Sequence, residues 1–160
     1  MRKIISNTTP ILSLLKINKL SLLEDLYGKI IIPTAVYQEI EKGKEKPYYL
    51  DLKLIDWIEI REIRNPGSKD YFLDLDEGEA EVLILAKEQN ADLIIMDEIM
   101  GRRIAKQFNL TVTGTIGVLL KTKEKGFVNA IKELLTELQE RGTWLNSKLI
   151  SKALELANEE

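Results

Sequence analysis

Residues 76–97, DEGEAEVLILAKEQNADLIIMD, decide the fold. A helix starts at Asp76, where Asp76 and Glu79 have the spacing of a capping box. It runs to about Asn90 and is apolar nearly all round from Val82 to Ala86, so it is expected inside the protein. The apolar run 93–96 then reads as a central strand that ends on Asp97.

The flanks continue this alternation. Residues 3–6 are a short apolar run stopped by a polar turn, which reads as a buried strand. Thr9-Pro10 marks a helix start, with Thr9 capping and Pro10 at the first helical position. Leu12, Leu15, Leu20, Leu22, Leu23 and Leu26 keep helical spacing across a break at Asn18, and Gly28 ends the segment. A second strand covers 29–32 and is closed by Pro33, and a helix follows over 35–41. The Lys/Glu-rich arm 41–46 and Pro47 precede Tyr48, Tyr49 and Leu50, a candidate contact surface. Residues 57–63 alternate as an edge strand does, and 65–68 form a turn. Helices are expected over 100–108, 115–125, 128–139 and 147–158, with a strand at 111–113. Strands alternating with helices imply an α/β protein whose parallel sheet is covered on both faces. No repeat or linker divides the chain, so 1–160 reads as one domain with a helical C-terminal extension from about 128 to 160.

A chain of 160 residues, 44% hydrophobic and 31% charged, can bury a real core beneath a charged surface. It has no cysteine, which removes disulfides, thiolate nucleophiles and Cys-zinc sites. It has no histidine either, which removes serine- and cysteine-type triads and the usual zinc enzymes. Hydrolysis would have to run on carboxylates, lysine or oxygen-bound metal. The opening MRKII is broken at once by SNTTP, with no small-residue cleavage site. No apolar run approaches the about 20 residues of a membrane span. A cytoplasmic protein with no membrane partner is expected. The net charge is −3, but over 102–132 seven basic residues face only Glu124, giving +6 there and leaving −9 elsewhere. Such a face can steer a polyanion, and it equally describes the solvated helices of a charge-rich protein.

In a sheet of this kind ligands collect at the carboxyl ends of strands. Asn7 follows the first strand and Asp97 the strand 93–96, while Glu39 and Glu79 lie early in helices that can reach the same end. An oxygen cluster suits hard cations such as Mg²⁺ and Mn²⁺, which activate water without histidine. Each residue also has a plain structural reading. Glu79 completes a capping box, Glu39 is a solvated helix residue between core-facing Val36 and Ile40, Asp97 caps the next helix, and Asn7 is a turn residue.

The combination is more specific than its parts. IISNTTPIL at 4–12 resembles the first motif of the PIN-domain nucleases, in which a strand delivers an acid followed by a small hydroxyl residue. IIPTAVYQE at 31–39 is similar to the second, which ends on the metal-binding Glu39. GEAE at 78–81 and IIMD at 94–97 resemble the third and fourth. TGTIGVL at 113–119 and GTWL at 142–145 are similar to a prokaryotic PIN subgroup, and the likeness runs from about Ile4 to Leu149. It implies a three-layer fold with a five-stranded parallel sheet and helices on both faces. It also implies a site of Asn7, Glu39, Glu79 and Asp97 holding Mg²⁺ or Mn²⁺ to cut single-stranded RNA. Thr8 or Thr9 would orient a ligand, a metal-bound water or a phosphate. Arg102, Arg103, Lys106 and Thr115 would face the substrate. A homodimer acting as the toxin of a toxin–antitoxin pair, with a cognate antitoxin as partner, is the further implication.

Asn7 departs from the family's aspartate. Three carboxylates with one Mg²⁺ leave −1 and with two leave +1, so weak metal binding, with one metal in the absence of RNA, is expected. The competing reading is a degenerate PIN domain that serves as a binding or scaffold module. A phosphoacceptor receiver would need paired acids after the first strand, where this chain has Asn7-Thr8.

Overall fold

Ile4 and Ile5 have no exposed surface because β1 (Ile4–Ser6) is central in the sheet and helices cover the faces to which their side chains point. The computed structural model describes residues 2–160. After β1 come α1 (Thr8–Lys16), α2 (Ser21–Tyr27), β2 (Ile30–Pro33), α3 (Thr34–Glu41) and β3 (Ile58–Arg61). They are followed by α4 (Glu77–Gln89), β4 (Leu93–Ile95), α5 (Ile99–Gln107), β5 (Val112–Thr113), α6 (Thr115–Glu124), α7 (Lys132–Glu140) and α8 (Ser147–Leu156). Short 3₁₀ turns occupy Leu52–Leu54 and Pro66–Phe72. All strands are parallel in the order β3-β2-β1-β4-β5, and helices cover both faces to give three layers.

The order in which strands are added reverses at β1. The first crossovers step outward to β2 and β3, and then α4 carries the chain back to place β4 on the other side of β1. Strands β1 and β4 align Ser6 with Ile95, and the Asn7 amide donates to the Ile95 carbonyl at 2.9 Å. Asn7 therefore leaves the sheet beside Met96 and Asp97, at the switch point where ligands of such sheets bind.

The apolar run of α4 is the reason that helix lies inside. Val82, Leu83, Leu85 and Ala86 are fully buried against the sheet and against α3 and α5. Each large aliphatic residue so buried contributes roughly 1.5–3 kcal/mol. The capping box forms as its spacing predicts, and Asn90 ends the helix in the left-handed region with φ 52°. Strand β3 stands at the sheet edge, as its alternation implies, with Glu59 bonded to Lys29 and Arg61. Among the described residues no helix is long and apolar enough to cross a membrane.

Two helix starts differ from the sequence expectation by more than one residue. Helix α1 begins at Thr8 with Asn7 in the capping position, so Thr9 is not the cap and Pro10 is the third helical residue. The missing proline N–H is harmless there, because the first turn has no intrahelical acceptors to fill. Helix α7 begins at Lys132 and not at 128. Its first amides are held from outside: Glu159 accepts from the Ile131 N–H at 2.9 Å and the Lys132 N–H at 3.0 Å.

Candidate active site

Asn7 is only 3% exposed, and its side chain caps nothing. Its Nδ2 donates to Glu98 Oε1 at 2.7 Å, while the other Glu98 oxygen accepts from Thr9 Oγ1, also at 2.7 Å. Asn7 Oδ1 is buried and has no hydrogen-bond partner. An acceptor left in that condition costs about 1–3 kcal/mol, so it calls for an explanation in function.

The explanation is in what surrounds Gly78. A Cβ placed on Gly78 would meet Glu39 Oε2 at 3.2 Å, Asn7 Oδ1 at 3.5 Å and Asp76 Oδ1 at 3.6 Å. Oxygens from the residue after β1, from α3 and from the cap of α4 thus converge where this glycine has no side chain. Glu39 is exposed at the rim, with Oε2 accepting from Thr8 Oγ1 at 3.0 Å. Val36 and Ile40 beside it are buried, as expected.

Glu79 serves as the cap. Its backbone N–H donates to Asp76 Oδ1 at 2.8 Å, and its Oε2 accepts from the Asp76 N–H at 3.1 Å. Burial pushes the Glu79 carboxyl above its usual range; the Asp76 amide opposes this, and the Asp76 and Glu98 charges add to it. Its Oε1 has no hydrogen bond among the described residues.

Asp97 does not cap α5, whose capping residue is Glu98. It binds the start of α6 instead: Oδ1 accepts from the Thr115 N–H at 2.7 Å and Oδ2 from Thr115 Oγ1 at 2.6 Å. Gly114 makes this approach possible, since a Cβ there would lie 2.6 Å from Asp97 Oδ1 and 2.9 Å from Arg102 Nη1. Burial raises the Asp97 carboxyl, opposed by both Thr115 donors and Arg102 and reinforced by Glu98.

The predicted residues therefore fall into two groups. Asn7 and Glu39 meet around Gly78, where Thr8 steadies Glu39, whereas Thr9 turns to Glu98. Glu79 and Asp97 are held by Asp76 and Thr115, and Thr115 directs both its donors at Asp97 rather than outward. Arg102 is half-buried and donates to the Met96 carbonyl at 3.0 Å. Arg103 and Lys106 are exposed and, with Ile99 and Arg102, line a shallow recess of about 260 Å³. Two further site residues lie outside the sequence expectation. In the sequence Asp76 shows only as a cap, and Glu98 only as the second acid of a pair following a buried strand.

Among the described residues no three Asp or Glu side chains stand close enough to hold one ion together. The oxygens that do converge, one amide and two carboxylates, still fit a hard divalent cation, which commonly takes one or two carboxylates and keeps several waters. The unpaired, buried Asn7 Oδ1 is what points to such a guest.

A family model described as a PIN domain matches residues 3–159. No curated protein matches the chain.

Proposed function

The chain belongs to the PIN-domain family, a nuclease-type fold associated with divalent metals, and on that premise we propose that it hydrolyses single-stranded RNA with Mg²⁺ or Mn²⁺ at the β1–β4 crevice. The observation that carries the proposal is the buried, unpartnered Asn7 Oδ1 beside the Glu39 and Asp76 oxygens. Asn7, Glu39 and Asp76 would hold the cation. Its chemistry, once bound, is to acidify a water and neutralise phosphate charge. The chain's own residues do the positioning. Thr8 fixes Glu39 through its hydroxyl, and Thr115 fixes Asp97 through two donors. Arg103 and Lys106 offer exposed positive charge for backbone phosphates at the recess beside α5.

Toxin activity within a toxin–antitoxin pair, a homodimeric state and a cytoplasmic location belong to the same proposal. The second reading, a binding or scaffold module, is favoured by one observation: Glu79 and Asp97 both have structural work that would persist in an inactive protein. Cleavage of single-stranded RNA by rigorously purified protein, with Mn²⁺ or with EDTA, separates the two. Cleavage confined to the Mn²⁺ arm and lost in Glu39→Gln supports the nuclease. Cleavage that persists in EDTA, or RNA binding with no cleavage in either arm, overturns it.

A further inference from the structure

Asn7 and Glu98 behave as one unit. Ionised Glu98 is acceptor-only, and it faces two donors, Asn7 Nδ2 and Thr9 Oγ1, each at 2.7 Å. This fixes which way the Asn7 amide points. Turning it over would set Oδ1 against a carboxylate oxygen at hydrogen-bond distance, where two acceptors repel. With Nδ2 committed to Glu98, Oδ1 must face the oxygens around Gly78, where it is buried and unpaired.

We propose that Glu98 is a positioning residue that carries, across the crevice, the negative charge that position 7 lacks, and that it aims the Asn7 carbonyl oxygen at the cation. The cation half of this statement rests on the function proposed above; the pairing of the two side chains does not. The consequence for the site's charge is direct. Glu39 and Asp76 contribute two carboxylates beside the Asn7 carbonyl, and Glu98, bonded to the other end of the same amide, adds the charge that an aspartate at position 7 would have carried. The weak metal binding expected from three carboxylates omits Glu98. An aspartate at position 7 would not complete this site, because its carboxylate would meet Glu98 where the amide now donates. Glu98 is not among the oxygens that converge on Gly78, so its part is to hold Asn7 rather than to ligate.

A double-mutant cycle tests the pair. The four proteins are the native chain, Asn7→Asp, Glu98→Gln, and the double variant, in which the amide introduced at position 98 can donate to the carboxylate introduced at position 7. Thermal melting in EDTA and Mn²⁺ affinity by calorimetry are read for each. Asn7→Asp alone should lower the melting temperature in EDTA. Glu98→Gln alone should weaken Mn²⁺ binding at least tenfold, because either end of the Asn7 amide can then face the new amide across the crevice. The double variant should recover both readouts to near the native values. Rescue of a melting temperature, even where Asn7→Asp alone does not fold, supports the pairing. Effects that simply add, or a double variant no better than Asn7→Asp, overturn it. If the native chain binds no Mn²⁺ the metal reading fails, and the melting cycle in EDTA still decides the pairing.

Discussion

Thr115 gives both its backbone N–H and its hydroxyl to the carboxylate of Asp97, at 2.7 and 2.6 Å, and so ties the end of β4 to the start of α6. A carboxylate accepts at both oxygens, but an amide accepts at only one. Asp97→Asn therefore does more than remove charge, because it turns an NH₂ toward one of Thr115's donors. The expected cost is about 1–3 kcal/mol in urea denaturation, together with loss of RNA cleavage. Thr115→Val is the matched control. It should lose comparable stability while retaining metal-dependent cleavage, since the Asp97 charge remains. Equal loss of cleavage in both variants would assign Asp97 a structural role alone.

Much of the fold is legible in the sequence because its signals are local. The apolar runs of β1 and β4, the unbroken apolar stretch in α4 and the Asp76–Glu79 spacing each declare themselves within a few residues. The misreadings share one cause, which is a partner distant in sequence. Thr9 reads as a cap because serine and threonine before a helix usually are, but its hydroxyl bonds Glu98, 89 residues away. Helix α7 starts late because Glu159 holds its first amides from beyond the end of α8. The pairing of Asn7 with Glu98 exists only because β4 lies beside β1, a neighbour relation no short motif encodes.

Asp97 and Glu79 should contribute stability that is lost as pH rises through the carboxylate range when EDTA is present, against the opposite contribution of Glu59, Glu77 and Glu159, whose carboxyls are held below the usual range. Burial raises the Asp97 and Glu79 carboxyls in the folded state, so between their unfolded and folded pKa values the native protein binds more protons than the unfolded chain. The contribution of these two groups is fully present below the ordinary carboxylate pKa of about 4 and is lost once both ionise. Melting temperature against pH reads this directly. Glu79→Gln should flatten the slope while costing at most about 1 kcal/mol, because glutamine can still complete the capping box. The difference between the native and Glu79→Gln profiles isolates the Glu79 share, and a difference that grows with pH in the opposite sense would mean that the Asp76 amide outweighs burial at Glu79.

Gly78→Ala separates the space at the site from its charge. The new Cβ would stand 3.2 Å from Glu39 Oε2, the flexible end of an exposed side chain that can give way. Gly78 lies in the first turn of α4 at an ordinary helical φ, where alanine is the better helix former by roughly 1 kcal/mol. The variant should therefore melt no lower than the native protein, yet bind Mn²⁺ more weakly and cleave more slowly. Unchanged Mn²⁺ affinity would show that the cation does not use the oxygens around Gly78.

The basic residues of α5 divide by what already holds them. Arg102 is committed to the Met96 carbonyl and sits against Asp97 beside Gly114, so replacing it disturbs the site as well as the surface. Arg103 and Lys106 are exposed, so either can be removed without touching the core. Each phosphate neutralised on a single strand contributes about 0.7 to the slope of log affinity against log salt. Arg103→Ala with Lys106→Ala should thus flatten that slope by about 1.4 and leave the melting temperature unchanged. Adding Arg102→Ala should cost stability as well as affinity, through loss of its bond to Met96. RNA affinity over a salt series, using the Glu39→Gln background to prevent cleavage, gives the slope. If the double substitution leaves it unaltered, RNA does not follow the α5 recess, and the charge excess of 102–132 is solvated surface.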